Sequence, residues 1–486
     1  MAAPFEILLA DELATTRLAQ RMAPLLVAGD TVLLEGPIGA GKTHFCRALI
    51  RARLGRAEDV PSPTFTLVQS YDADVEICHA DLYRLTHPDE ARELGLEQAF
   101  ATAICLIEWP DRLGAESPVN PVRIVLAVEG EGRRAGVDPG ARPSMRTILQ
   151  AELREAAIVR FLNGAGWQDA RRVPLTGDAS ARRYERLFLR DQTRLLMDAP
   201  PGQADSVTDF AHVGRHLLQT GLSAPVIYAE DADLGLLLIE DFGDGVFARL
   251  MCDDPASVRA LYAAAVDALV HLQAHAAAAG IPALAAADWA QSTDVALDWY
   301  RFAVTGDRLD AQPLVDCLRD HLARLTVLPP VMILRDYHAE NLMWLPDRVG
   351  VQRVGLLDFQ LAQMGQPGYD LVSLLQDARR DVSAGVESEM IRHFVTRKNL
   401  DEATFLPGYA ALGALRALRI LGVFSRLCLV SGKPQYVTLL PRVWAQLHRN
   451  LAHPALRDLR AICDAVLPPV TDAGLQRIRA QCGNFQ

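Results

Sequence analysis

The sequence has no CxxC pair. Its eight cysteines stand singly, at Cys46, Cys78, Cys105, Cys252, Cys317, Cys428, Cys463 and Cys482, a spacing that indicates neither a zinc knuckle nor a disulfide framework. An excess of basic charge is also missing. The formal net charge of −11 argues against a chain whose main task is coating nucleic acid, although a local basic patch is compatible with it. The Ala-rich stretch Ala263–Ala279 is broken by Asp267, His271, Gln273 and His275, so it predicts a helix of a soluble domain and not a bilayer span. The N-terminal MAAPFEILLADE meets an acid pair too soon for a secretory h-region. No haem, flavin or metal-cluster signature occurs. The expectation is a cytoplasmic protein without membrane contact.

What is present exceeds one hydrophobic core. With 486 residues, half of them hydrophobic and 22% charged, the chain predicts two or three globular domains. In the first, the apolar strand Thr31–Glu35 runs directly into GPIGAGKT and then into a helix beginning HFCRALIRARL. Gly36, Gly41, Lys42 and Thr43 fill the pattern G-x4-G-K-[ST], with Gly39 inside it, in the strand–loop–helix context that a phosphate-binding loop requires. Glycines let backbone N–H groups face phosphates, and the helix N-terminus adds a favourable dipole. Lys42 suits the β/γ-phosphates and Thr43 suits Mg²⁺. Two acids follow at strand ends: Asp81 after VEICHA, placed to hold the metal directly or through water, and Glu108 after Ile104–Ile107, placed to orient an attacking water. These residues alone define a P-loop ATPase, with a small-molecule P-loop kinase as the runner-up.

The stretch also resembles a known family. VPSPTFTLVQSY (residues 60–71), HADLYRL (79–85) and IEWPDRL (107–113), each following GPIGAGKT at the expected place, are similar to TsaE. TsaE is the small ATPase of the bacterial machinery that makes threonylcarbamoyladenosine on tRNA. The resemblance covers about residues 5 to 130. It implies Mg-ATP on Gly36–Thr43, a switch-like Thr64, a metal-linked Asp81, and Glu108 with Trp109 in the catalytic region. It also implies TsaD and TsaB-like partners, with tRNA met only indirectly.

Residues 129–144, EGEGRRAGVDPGARPS, are rich in Gly, Pro and Arg without apolar period. That composition predicts an exposed linker, which gives a first domain over 1–130, a linker over 131–147 and a second domain over 148–486. Arg133, Arg134, Arg142 and Arg146 would then be solvated, RNA contact being the alternative.

The second domain is organised around LRDYHAEN (residues 334–341) and LLDFQ (356–360). Asp336 and, five residues on, Asn341 have the spacing of a kinase catalytic loop: the Asp accepts the proton of an acceptor hydroxyl and the Asn turns back to a metal ion. Asp358, ending the next strand, closes the metal site. Upstream, PLTGDASARRYERLFL and RLLMDAP predict a β-hairpin pair with a Gly-Asp turn, where a kinase covers nucleotide phosphates; Gly177, Asp178 and Ser180 are the candidates. Leu234–Glu240 leads into EDFGD, placing Glu240 at an adenine-gripping hinge. Asp241-Phe242-Gly243 spells the kinase metal motif but precedes the catalytic loop by about ninety residues, so Asp358 is the expected ligand. Helices are expected over 255–279, 293–306, 314–325, 369–380, 387–397 and 406–430. Asp370 reads as a structural cap or brace, and His338 as a brace of the loop.

His338, two places after Asp336, separates aminoglycoside phosphotransferase-like kinases from protein kinases. Within that group GDASARRYERL, RLLMDAPP, LIEDFGD, LRDYHAENLMWL, GLLDFQLAQMGQPGYDLVSLLQDARRDV and ALRALRILGVFSRL resemble AmgK, the bacterial kinase of the anomeric hydroxyl of N-acetylmuramate and N-acetylglucosamine. The resemblance implies ATP and Mg²⁺, Asp336 as general base, Asn341 and Asp358 as metal ligands, an amino-sugar substrate, a role in cell-wall sugar recycling and a bacterial source. One departure is Met197, standing where most kinases carry a phosphate-pairing Lys; Arg182, Arg183 and Arg194 are the substitutes, and a pseudokinase shares that loss. Ser425–Tyr436, with Arg426 and Lys433, is a candidate acceptor-pocket segment, a solvated loop being the alternative. The expected architecture is an α/β P-loop NTPase domain followed by a two-lobed α+β protein-kinase-like domain of the aminoglycoside phosphotransferase type. The alternatives for the second domain are a kinase for another small alcohol or aminoglycoside, and a non-catalytic sugar or nucleotide sensor regulating the ATPase.

Overall fold

The strand expected over Thr31–Glu35 lies in the middle of a seven-stranded sheet. In this computed structural model, residues 4–56, 58–87, 90, 93–175, 182–202 and 206–485 are described. The chain divides into two units, Met1–Gln168 and Asp169–Gln486.

The first unit carries β1 (Phe5–Leu9), β2 (Thr31–Glu35), β3 (Val68–Tyr71), β4 (Ile77–Asp81), β5 (Ile104–Glu108), β6 (Val122–Glu129) and β7 (Gly132–Asp138), in spatial order β1-β7-β6-β2-β5-β4-β3. β2 runs parallel to β5 and β6, and β4 parallel to β5. Val32, Leu33 and Leu34 are wholly buried. Such a continuous apolar run is what a parallel strand covered on both faces requires. The helix Lys42–Leu54 leaves β2 through Gly41 and stops at Gly55, whose left-handed φ of 65° caps it. The C-terminal ends of β2, β4 and β5 are therefore neighbours, the place where open α/β sheets bind ligands.

The linker expected over 131–147 is not a linker. β7 pairs with both β1 and β6, and Ala135 and Val137 are fully buried in the core. The helix Pro143–Gly164 sends Met145 and Leu149 into the same core. Composition hid the strand because its apolar residues alternate with arginine and glycine. Gly132 is required there, since a Cβ would lie 2.4 Å from the Leu9 carbonyl oxygen. The boundary thus falls near residue 168, not 130.

The second unit opens with an antiparallel sheet of β8 (Arg171–Leu175), β9 (Arg183–Leu189), β10 (Gln192–Asp198), β11 (Ile227–Asp231) and β12 (Leu236–Glu240), ordered β11-β12-β10-β9-β8. β8, β9 and β10 form the expected hairpins. Two short ladders follow: β13 (Val331–Ile333) with β16 (Gln363–Gly365), and β14 (Leu342–Trp344) with β15 (Val354–Leu356). The remainder is largely helical, including Val258–Gln273, Gln312–Leu325, Gly368–Leu375, Ala384–Arg397 and Glu402–Leu429. The segment expected as one helix over 293–306 is helical over 296–305, wound as a π-helix over Ala296–Arg301 and as an α-helix over Phe302–Thr305. Among the described residues no helix is long and apolar enough to cross a membrane.

Two candidate active sites

In the first unit, the loop after β2 holds Gly36, Gly39 and Gly41 at φ of 140°, 79° and 100°. Gly36 has no alternative, because a Cβ would sit 2.3 Å from the Leu126 carbonyl oxygen. Lys42 is buried, donates to the carbonyls of Gly36 (2.7 Å) and Pro37 (3.0 Å), and lies 3.8 Å from the centre of the Trp109 ring. Burial lowers its pKa, while Glu108 and Asp81 oppose that shift.

The two strand-end acids are directly paired in register across β4 and β5, Asp81 opposite Glu108. Each is engaged by a different set. Thr64 and Ser62 donate to Asp81 Oδ2 at 2.6 and 3.2 Å. Thr43 donates to Glu108 Oε2 at 3.0 Å, and His79 Nε2 lies 3.0 Å from Glu108 Oε1. All the expected residues of this site, Gly36 to Thr43, Thr64, Asp81, Glu108 and Trp109, are thus joined through these contacts or the loop itself. His79 was not singled out from sequence. It is wholly buried, and the alternation of β4 that points Asp81 inward also points His79 inward. Ligand atoms of Cys46, His79 and Glu108 lie within 4.8 Å of one another, but burial pushes the Cys46 thiol well up, and a protonated thiol is a poor metal ligand.

Arg133 is a second residue missed. Its guanidinium donates to the carbonyls of Ala40 (3.0 Å) and Gly39 (3.2 Å), so β7 holds the phosphate loop from behind. Its neighbours are equally occupied: Arg134 pairs with Glu129, and Arg142 with Asp30 at 2.6 Å. Arg146 lies 5.3 Å from the Phe5 ring centre.

In the second unit, the loop between β13 and β14 carries Asp336. Arg335 adopts a left-handed φ of 72°, which turns the chain sharply before the acid. Asp370, fully buried at the start of the helix Gly368–Leu375, holds that turn by accepting the N–H groups of Leu334 (2.6 Å) and Arg335 (2.9 Å). It is a brace, as expected, and not a cap of its own helix. Burial raises its pKa to about 7, against the pull of those two N–H groups. Asn341 donates from Nδ2 to the Asp336 carbonyl at 3.0 Å, which fixes the amide and leaves its oxygen directed elsewhere. Asp358, at φ 55° two residues past the end of β15, accepts from Gln360 at 2.8 Å. Phe359 beside it stacks on Phe210, ring centres 4.8 Å apart.

Asp336, Asn341 and Asp358 line one cavity of about 680 Å³ with His338, Asp377 and Arg416. His338 is buried, and burial holds its pKa down at about 4, with Asp377 opposing. The expected hydrogen-bonded brace is a 3.4 Å contact of its Nε2 with Arg379, while its Nδ1 has no hydrogen-bond partner among the described residues.

Met197 is buried and receives the Tyr184 hydroxyl at 3.3 Å. Of the three arginines that could stand in for the missing lysine, Arg182 is the one near Asp358: it is buried, 3.7 Å from that carboxylate. Arg183 is exposed, and Arg194 lies over the Tyr228 ring. Gly177, Asp178 and Ser180 lie outside the described residues. Glu240 departs from its expectation in part. Its carboxylate pairs with Arg348 and its N–H donates to the Val226 carbonyl at 2.8 Å, so neither is turned to a ligand. Asp241 is held by Arg186 at 2.8 Å. Arg426 and Lys433 do not line the cavity; the 425–436 segment contributes Tyr436 to it.

Comparison with known proteins parallels this division. The family model for threonylcarbamoyl adenosine biosynthesis protein TsaE matches residues 9–135, and that of the phosphotransferase enzyme family matches residues 171–406. A tRNA threonylcarbamoyladenosine biosynthesis protein TsaE of Rickettsia felis is 44% identical over 30% of this chain and 86% of its own length. An N-acetylmuramate/N-acetylglucosamine kinase of Caulobacter vibrioides is 38% identical over 65% of this chain and 98% of its own length. One from Pseudomonas aeruginosa is 31% identical over 66% of this chain and 96% of its own. The chain belongs to two families at once, TsaE through its first unit and the N-acetylmuramate/N-acetylglucosamine kinases through its second.

Proposed function

We propose that the chain is bifunctional. Its first unit hydrolyses ATP in support of threonylcarbamoyladenosine formation on tRNA. Its second transfers the γ-phosphate of ATP to the anomeric hydroxyl of N-acetylmuramate or N-acetylglucosamine, in cell-wall sugar recycling in the cytoplasm. The observation that carries the kinase reading is the meeting of Asp336, Asn341 and Asp358 on one cavity.

In that reading Asp336 accepts the proton of the acceptor hydroxyl while its oxygen bonds to the γ-phosphorus and the bond to the ADP oxygen breaks. An anomeric hydroxyl is more acidic than most sugar hydroxyls, which suits a carboxylate base. The Asn341 amide oxygen and the Asp358 carboxylate are hard oxygen donors of the kind Mg²⁺ prefers, and the bond from Asn341 Nδ2 to the Asp336 carbonyl leaves that oxygen available. Bound there, the ion would offset phosphate charge. Arg182 is the cation nearest that end of the site and supplies the charge that Met197 cannot.

In the first unit the loop Gly36–Thr43 would cradle the phosphates, Lys42 would neutralise the β/γ oxygens, and Thr43 and Asp81 would hold Mg²⁺. Thr64 links phosphate occupancy to Asp81 through its 2.6 Å hydrogen bond. Glu108 orients water, and Trp109 packs at the nucleotide. TsaD and TsaB-like proteins are the partners, tRNA being reached through them.

A non-catalytic sensor is not favoured, because base, amide and second acid meet on one cavity. The test is an acceptor panel with the full chain, ATP and Mg²⁺, read by mass spectrometry. N-acetylmuramate and N-acetylglucosamine should yield 1-phosphates, and Asp336→Asn should lower the rate by about 10²- to 10⁴-fold. ATP binding to the second unit without any sugar phosphate would overturn the reading.

A further inference from the structure

The cavity beside Asp336 takes its lining from two parts of the second unit. The catalytic loop and the segments after it bring the acids Asp336, Glu340, Asp358 and Asp377 together with Arg335 and Arg379. The helix Glu402–Leu429 brings Arg416, Arg419, Ile420, Val423 and Phe424, with no acid. Arg416 and Arg419 are three residues apart and so share a helix face, where like charges repel. Among the described residues neither forms an ion pair with a carboxylate, although Arg416 attracts the charge of buried Asp370 from further off.

Both guanidinium groups are nonetheless held in place. Arg416 donates to the Arg335 carbonyl at 3.2 Å and lies 5.8 Å from the Tyr369 ring centre. Arg419 donates to the Tyr369 hydroxyl at 3.2 Å and lies 6.0 Å from the Trp289 ring centre. Each therefore commits one terminal N–H to the protein and keeps the rest of its fork. Arg416 Nε is buried and has no acceptor among the described residues. Two fixed guanidinium groups with spare donors, on an acid-free wall, form a receptor for a planar oxyanion.

We propose that Arg416 and Arg419 bind a carboxylate carried by the acceptor sugar, so that the acidic sugar is preferred over its neutral counterpart. This rests on the sugar-kinase reading above and deepens it. N-acetylmuramate bears a lactyl ether carboxylate on the same ring that N-acetylglucosamine presents with a free hydroxyl. Asp336 faces the anomeric hydroxyl in both sugars, and the arginine wall reads what differs between them.

The experiment measures kcat/KM for both sugars with the full chain, ATP and Mg²⁺, in wild type, Arg416→Gln, Arg419→Gln and Arg419→Lys. The ratio of N-acetylmuramate to N-acetylglucosamine efficiency should fall about 10- to 100-fold in each Gln variant, and Lys should restore part of it. Melting curves accompany each variant, and the ratio is insensitive to a loss of folded protein. An equal loss on both sugars would mean that these arginines serve the phosphate common to both reactions, and would overturn the proposal. An unchanged ratio would overturn it too. Wild-type protein that phosphorylates neither sugar would instead remove the sugar-kinase reading itself, and the proposal would fall with it.

Discussion

The two units handle phosphate with different materials. In the first, the backbone forms the proposed site: three glycines at positive φ and a helix N-terminus shape the cradle, and one strand-end pair of acids stands beside it. In the second, side chains do it, and their loop is shaped from a distance, by Asp370 thirty-six residues after Leu334. The difference teaches where function is written in a chain. A backbone cradle needs its glycines contiguous, so it survives as a motif. A side-chain site needs only that tertiary contacts bring its members together.

Breaking the cradle should give the largest effect. In Gly36→Ala the new Cβ meets the Leu126 carbonyl oxygen at 2.3 Å, so the loop must shift, and ATPase activity should fall about 100-fold or more, with sugar phosphorylation unaltered. A steady-state ATPase assay that found wild-type turnover would show that the cradle tolerates displacement. The counterpart in the second unit is Asp370→Asn. An amide N–H₂ would face the N–H of Leu334 or Arg335 in place of a carboxylate oxygen, at a cost of about 1–3 kcal/mol. Calorimetry should show the second unit melting earlier while the first is unmoved, and sugar kinase kcat should drop. A smaller effect is expected of Arg133→Ala, which frees the carbonyls of Gly39 and Ala40. KM for ATP hydrolysis should rise roughly 10-fold; an unchanged KM would make Arg133 a bystander of the cradle.

The smallest effect sharpens the comparison through pH. His338, lowered to about 4, is neutral when folded, so its contribution to stability is present above its unfolded value near 6.5 and lost as pH falls towards 4. Asp370, raised to about 7, contributes stability below about 3.8 that is lost as pH rises through 7. The two slopes oppose each other between about pH 4 and 6.5. In His338→Gln the opposing His338 slope is removed, so between about pH 4 and 6.5 the denaturant midpoint of the second unit should drop with rising pH relative to that of wild type. Parallel profiles for the two proteins would contradict these assignments.

Much of the molecule was legible in the sequence because local pattern and chemistry coincide there. GPIGAGKT, Asp81, Glu108, Asp336, Asn341 and Asp358 each sit at a strand end or tight turn that the flanking apolar residues announce. What escaped has a common cause. Arg133 serves a loop more than ninety residues away in sequence, and its strand β7 alternates Ala and Val with Arg and Gly, so its composition resembles a tether. Arg416 and Arg419 lie on a long apolar helix, where isolated arginines look like a solvated edge; only the fold of the second unit turns them towards Asp336. His79 could have been found, since it shares a strand face with Asp81 at a spacing of two. Glu240 was assigned from its place after an apolar strand, and its ion pair with Arg348 depends on a residue over a hundred positions later.

The central claim is that one polypeptide holds two independent phosphate-transfer sites. It is tested most directly by assaying ATP hydrolysis by the first unit and N-acetylmuramate phosphorylation by the second in the same preparations of wild type, Lys42→Ala and Asp336→Asn. Lys42→Ala should lose the hydrolysis and keep the sugar kinase, and Asp336→Asn should do the reverse. A folded Lys42→Ala protein that has lost both activities would contradict the claim.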